Sequence, residues 1–204
     1  MPRETTESDT RRPPRVREIA QVGAPVLRSP AQEVSREALQ SVEVQCLIDD
    51  LIATMRHASG AGLAANQIFE SPRICAIEVG DNPRYPYKPK IPLTILVNPV
   101  LTPIGDDTFI NYEGCLSVPD LRGEVERSAQ VRVQALDRSG APLDFIAKGI
   151  TSGTYQHECD HLDGKLFLDR VTDPTTLCTW ANFRAHREDE FRVRVADIVA
   201  RYGA

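Results

Sequence analysis

Between Ser35 and about Ser59 the apolar residues Leu39, Val42, Cys46, Leu47, Leu51, Ile52 and Met55 recur close to a helical period, and Gly60 stops the pattern. One amphipathic helix is expected there. Beyond it the period changes. The stretches "RICAIEV" (73–79), "ILVNP" (95–99) and "VRVQALD" (131–137) are short, rich in branched residues and bounded by Pro or Gly, which is the signature of strands. The tetrad "DRSG" (137–140) turns the last of these into "APLDFIAKGI" as a hairpin, while "DNPRYPYKPKIP" (81–92) is a proline-laden loop. A helix is predicted from Thr151 to Leu162, and a last helical stretch begins after Asp173 and runs toward Tyr202. Helices thus bracket several strands, the pattern of an α+β architecture with antiparallel sheet.

The first 17 residues carry prolines and charges of both signs and cannot bury enough apolar area to offset ordering. Residues 1–15 are therefore expected as a mobile tail ahead of a single domain over 16–204, whose C-terminal helical segment covers 173–204. Glu4, Glu7 and Asp9 argue against a transit peptide, a class poor in acids. With 204 residues and 41% hydrophobic content the chain can bury a sizeable core. No stretch approaches the roughly 20 apolar residues of a membrane helix, and no apolar secretory signal opens the sequence. A cytoplasmic protein with no membrane association is the expectation. A net charge of −5 excludes a broad nucleic-acid surface. Five cysteines at unpaired spacings do not suggest a disulfide framework.

The chemistry concentrates in "QHECDHLDG" (156–164). On a helix, positions i and i+4 share a face, so His157 and His161 can offer their rings to one ion. Glu158 lies next round the helix, where it can reach a water beside that ion without being a ligand. The plainer alternative is a helix whose histidines pack or hydrogen-bond. Two histidines leave a catalytic metal short of a third protein ligand. Downstream, no residue stands at the spacing metallopeptidases use. Upstream, "EGCLS" (113–117) offers Cys115 beside Gly114, either as a thiolate ligand or as an ordinary buried thiol. A third stretch, "GAGLAANQ" (60–67), combines Gly60 and Gly62 with the amide of Gln67; a glycine pair after a helix also reads simply as a turn.

Together, "GAGLAANQ", "EGCLS" and "HECDH" resemble the peptide deformylase family, which carries G-x-G-x-A-A-x-Q, E-G-C-x-S and H-E-x-x-H in this order. The similarity runs through approximately residues 16 to 170, including "ILVNP", "VPDLRGEVER" and "DRSG". It implies antiparallel sheets packed around a central metal-binding helix, with an N-terminal amphipathic helix and a C-terminal helix. It implies removal of the formyl group from N-formylmethionine of nascent polypeptides, with release of formate. Cys115, His157 and His161 become the expected ligands of one divalent transition metal, Fe2+ in the cell, with Zn2+, Ni2+ or Co2+ as alternatives. Glu158 becomes the expected proton carrier, and the Gln67 amide and the Leu116 backbone N–H the expected donors to the oxyanion.

Expected substrate contacts are Gly60, Ala61, Gly62, Gly114, Arg122, Gly153 and Thr154, with Arg122 a candidate for the peptide backbone. Here the chain departs from its family. "GITSGTY" has Ser152, Gly153 and Thr154 where members more usually have larger apolar side chains along the methionine pocket, and Ala61 is likewise small. An enlarged or more open pocket is the expectation unless Tyr155, Leu116 or the C-terminal segment closes it, with looser preference for methionine. Glu113 and Arg127 suggest either a structural ion pair or solvated charges. Cys159 is expected to be a packed thiol and Asp160 a supporting residue. The C-terminal helix is a candidate for transient ribosome contact, for a solvated face or for a weak dimer beside the monomer. Two other activities share these features: a zinc-type metallopeptidase, which has no need of "EGCLS" or the glutamine loop, and a deformylase relative with another formylated substrate.

Overall fold

A computed structural model describes residues 11–81 and 87–204. Its elements are α1 (Arg36–Leu39), α2 (Val42–His57), β1 (Gly62–Ala64), β2 (Ile74–Val79), β3 (Ile91–Pro103), β4 (Thr108–Cys115), β5 (Val118–Ser128), β6 (Gln130–Leu136) and β7 (Pro142–Lys148). They are followed by α3 (Gly149–Leu162), β8 (Cys178–Thr179), α4 (Trp180–His186) and α5 (Glu188–Tyr202). The strands form two antiparallel sheets, one in the order β1-β2-β3-β6-β7 and one in the order β4-β5-β8.

The five-stranded sheet is covered on both faces, which explains why β2 reads as a nearly continuous apolar run. Ile74 and Ala76 face α2, joining Ile48, Leu51 and Met55 in one core. The alternate residues Cys75 and Ile77 face α3, joining Tyr155 and Leu162 in a second. On its other side α3 meets β4 and the C-terminal helices, where Ile150 packs with Phe109, Phe183, Phe191, Val195 and Ile198. The helix carrying the two histidines is therefore the centre of the molecule, as expected.

The elements differ from the expectation most in four places. The helix predicted over 35–59 is broken: Ser41 accepts the backbone N–H of Val44 and caps a new helix, so α1 ends after one turn. β3 extends well beyond 95–99 at both ends. β5, which pairs with β4 from Thr108↔Ser128 to Gly114↔Arg122, was not foreseen as a strand. The C-terminal stretch is two helices meeting at Arg187.

Of the tail expected to be mobile, residues 1–10 lie outside the described residues. Residues 11–15 do not fit the expectation. Arg12 pairs bidentately with Asp50 at 2.6 and 2.8 Å, and the Arg15 N–H donates to the same carboxylate at 2.7 Å. Asp50 is fully buried on α2, so its charge requires such partners, and the sequence supplied them from a segment with no apolar pattern. Further along, Ala20 N–H donates to Gln67 O and Val22 N–H to Ser117 O, which ties the two loop segments of the site together.

Candidate active site

Three pieces of chain converge in front of α3. The first is the glycine segment ahead of Gln67. A Cβ on Gly62 would overlap the Glu158 carboxylate, so that position needs glycine for close approach, and one on Gly60 would crowd Leu116 Cδ1 at 2.8 Å. The glycine pair is thus more than a turn. Gln67 Oε1 accepts the Ala64 N–H at 2.8 Å, which fixes the amide orientation and aims Nε2 at Ser117 Oγ (3.0 Å) and Cys115 Sγ (3.6 Å).

The second piece is the end of β4. Its ladder with β5 slips between Gly114 and Cys115, so that Cys115 pairs with Val118 across a tight connection. This irregularity turns the thiol inward toward α3. The third is α3 itself, on which Gly153, Thr154, His157 and Glu158 line one cavity with Gly60, Ala61, Gly62, Gly114, Leu116 and Arg122. Every substrate contact expected from the sequence borders this cavity.

The ligand-type atoms of Cys115, His157 and His161 all lie within 4.8 Å of one another, and among the described residues they form a group able to hold a metal ion. Cys115 Sγ is 3.2 Å from His161 Nε2. His157 Nδ1 is engaged by Glu113 at 2.8 Å, which leaves its Nε2 for an ion. Burial pushes the Cys115 thiol up, but the charges and hydrogen bonds of His161 and His157 outweigh this and hold it well below its ordinary value. A thiolate results, the form that binds metals. Burial likewise opposes a proton on His157, yet Cys115 and Glu113 hold it well above the usual histidine range. Two anions flanking one imidazole create a demand for positive charge that a divalent cation satisfies. One sulfur and two nitrogens with an open side suit a transition metal, and the residues present fit it.

Around this centre lies a charged frame. Arg127 Nε and Nη2 reach Glu113 at 2.8 and 2.9 Å, its Nη1 reaches Asp160 at 2.6 Å, and Arg170 closes the chain on Asp160 at 2.6 Å. Glu113 and Arg127 are buried, so the pair is structural and not a pair of solvated charges. Cys159 is a buried thiol beside Cys75, and Asn66 Nδ2 donates to the His161 carbonyl. Glu158 is also buried, but its Oε2 has no partner among the described residues, and burial pushes its carboxyl up.

The side-chain end of the cavity corrects one expectation. The space freed at Gly153 is already filled, since a Cβ there would meet Phe109 Cζ at 3.1 Å and Asn111 Nδ2 at 3.3 Å. Ser152 turns away to the Ser128 carbonyl. Two lining residues, Asn111 and Lys88, were not foreseen. Counting back from Cys115 by twos along β4 reaches Glu113, Asn111 and Phe109, so the strand period could have found Asn111. Nothing periodic marks Lys88, in the proline-laden loop. Arg122 is buried, donates to Tyr112 O and Tyr87 Oη, and lies between the rings of Trp180 and Phe183 at 4.3 and 4.0 Å. Helix α4 therefore backs the wall of the site that Arg122 forms.

A buried thiolate, a helical histidine pair and a carboxylate facing an open position define a metal-dependent hydrolase. The sequence model of the polypeptide deformylase family matches residues 16–176. Peptide deformylase 1 of Prochlorococcus marinus (strain MIT 9313) is 46% identical over 163 residues, covering 79% of this chain and 84% of that protein. A peptide deformylase of Leptospira biflexa is 41% identical over 157 residues, 76% of this chain and 88% of its own length. Among solved structures, the Met-Ala-Ser-bound class I type b peptide deformylase from Acinetobacter baumannii matches with a TM-score of 0.73 at 37% identity, over 76% of this chain and 98% of that one. The actinonin complex of a Synechococcus elongatus peptide deformylase matches 98% of this chain and 92% of its own, with a TM-score of 0.69 at 28% identity. This chain belongs to the peptide deformylase family, metal-dependent enzymes that remove the formyl group from N-formylmethionine of nascent polypeptides. Among the described residues no helix is long and apolar enough to cross a membrane.

Proposed function

We propose that residues 16–204 act as a single catalytic domain in which Cys115, His157 and His161 hold one divalent ion, Fe2+ in the cell, with Ni2+, Co2+ or Zn2+ able to replace it. A mixed thiolate and imidazole set accepts all four by ligand softness. The bound ion supplies Lewis acidity, polarising the formyl carbonyl and acidifying water.

The remaining work falls to side chains. Glu158 takes the proton of the attacking water on Oε2 and returns it to the amide nitrogen as the C–N bond breaks, yielding formate and a free amine. Its raised pKa and buried position support that role, because a carboxyl nearer neutrality both accepts and donates. Gln67 Nε2, held in orientation through Oε1, and the Leu116 N–H donate to the oxygen on which negative charge develops. Gly60, Ala61, Gly62, Gly114, Arg122, Gly153 and Thr154 bound the space for the substrate. The single observation that carries this reading is Glu158 Oε2, buried without a hydrogen-bond partner among the described residues, beside the convergent sulfur and nitrogens.

Further parts of the proposal are a cytoplasmic location, nascent formylated peptides as substrates, and a monomer or weak dimer with transient ribosome contact through the C-terminal helix. The test is formate release from formyl-Met-Ala-Ser by iron-loaded protein kept free of air, together with X-ray absorption at the metal edge. Turnover with one sulfur neighbour per ion is expected. Absence of metal–sulfur scattering would remove Cys115 from the ligand set, and rapid cleavage of an internal peptide bond would replace deformylation by peptidase activity.

A further inference from the structure

His157 and His161 share a helix face but differ in what holds their rings. His157 gives Nδ1 to the Glu113 carboxylate at 2.8 Å, which fixes its orientation. His161 turns Nε2 toward Cys115 Sγ at 3.2 Å, while its Nδ1 is buried without a hydrogen-bond partner among the described residues. A ring that offers Nε2 to an ion carries its proton on Nδ1, so a buried N–H needs an acceptor. Metal-binding histidines almost always have one.

A buried acceptor in the same state lies beside it. The Asn66 carboxamide donates through Nδ2 to the His161 carbonyl, and its Oδ1 is buried without a hydrogen-bond partner among the described residues. A carbonyl can only accept, so this contact settles which end of the amide is the nitrogen and leaves the oxygen for a donor. The carbonyl does not depend on Asn66, since it also accepts the Gly164 N–H at 2.9 Å. Asn66 and His161 are each 1% exposed, and a carboxamide buried that deeply calls for bonds at both of its ends. The other buried acceptor in this condition near the ligands, Glu158 Oε2, belongs to a residue that borders the substrate cavity.

From these complementary groups we propose that Asn66 is the positioning residue of His161, its Oδ1 taking the Nδ1–H directly or through one water molecule. The proposal rests on the metal-site reading and says what orients the ligand that Glu113 does not reach. The turn Ala65–Ile68 then serves two ligands, because the next residue, Gln67, brings Nε2 to 3.6 Å from Cys115 Sγ. A neutral acceptor also suits the charge there. Glu113 and the Cys115 thiolate already supply two anions, and a third beside the ion would weaken its pull on a carbonyl oxygen.

The test uses zinc-loaded protein, in which NMR can follow the ring protons of the histidines. In wild type the Nδ1–H protons of His157 and His161 should both exchange slowly with solvent, and Asn66→Ala should lose that protection at His161 alone. Chelator competition should show zinc affinity lowered by about 10–100-fold in the same variant. Asn66→Leu, close to Asn in size, takes its place should the Ala variant not fold. Asn66→Asp keeps an oxygen for Nδ1–H but has no N–H for the His161 carbonyl, so it separates the two bonds of the amide, and it should regain most of the lost affinity. Unchanged zinc affinity and proton exchange without the carboxamide would overturn the proposal, as would an Asp variant no better than Ala. None of these readouts needs turnover. A loaded wild-type protein that releases no formate would therefore sink the deformylase reading and leave this one standing, whereas zinc bound without His161 would sink the ligand set and this proposal with it.

Discussion

Glu113 and Glu158 are both buried carboxylates near the Cys115, His157 and His161 group, and they live in opposite circumstances. Glu113, on β4, is held by Arg127, Asn111 and His157, and although burial works against its charge, Arg127 and His157 keep its carboxyl well below the ordinary range. Glu158, on α3, has one oxygen without a hydrogen-bond partner among the described residues, and burial pushes its carboxyl above that range. Low dielectric acts on both. Fixed partners decide the outcome, so one group is locked in its anionic form and the other is poised to exchange a proton.

The largest effect expected from breaking this contrast is on turnover. Glu158→Gln should lower kcat by about 10²–10⁴-fold while metal content, read by atomic absorption, stays near one per chain. Near wild-type turnover in the metallated variant would assign the proton transfer elsewhere. Glu113→Gln should instead act on assembly. It leaves the buried Arg127 with Asp160 alone, at a cost of about 3 kcal/mol in denaturant unfolding. Metal affinity should fall by about 10–100-fold as His157 loses its anionic partner. Stability lost with metal affinity intact would separate the frame from the ligands.

The two carboxylates should also differ in how pH couples to unfolding. The folded pKa of Glu113 is below its unfolded value near 4.5, so its contribution is complete above that value and is lost as pH falls through the folded one. Glu158 is raised, so its contribution is complete below about 4.5 and is lost as pH rises through its folded value. Acid unfolding curves of the metal-free protein should therefore be flatter in Glu113→Gln than in wild type, and Glu158→Gln should not share that flattening. The smallest effect concerns the far side of α2. A chain starting at Pro14 lacks Arg12 but keeps Arg15 and Arg17 on Asp50, and its melting temperature should drop by no more than a few degrees with turnover unchanged. No drop at all would return residues 11–13 to the dispensable tail.

What could be read from the sequence follows the same division between local and distant partners. His157 and His161 were legible because four residues on a helix fix a shared face, and the hairpin at 137–140 because Asp137 Oδ1 accepts the N–H groups of Ser139 and Ala141 within the turn itself. The cap at Ser41 was missed because apolar spacing carries across it. Arg12 was missed because its partner is 38 residues away and the segment has no apolar pattern. The supposed opening at Gly153 failed for a similar reason: the volume lost on α3 is taken up by Phe109 and Asn111 of β4.

The sulfur and its nearest nitrogen donor belong to residues 46 positions apart, joined only when β4 and α3 have docked. During synthesis the thiol leaves the ribosome well before either imidazole. On the proposed ligand set, a complete site exists only once β4 and α3 have docked, so a folded cavity and not a flexible strand of ligands would select the ion.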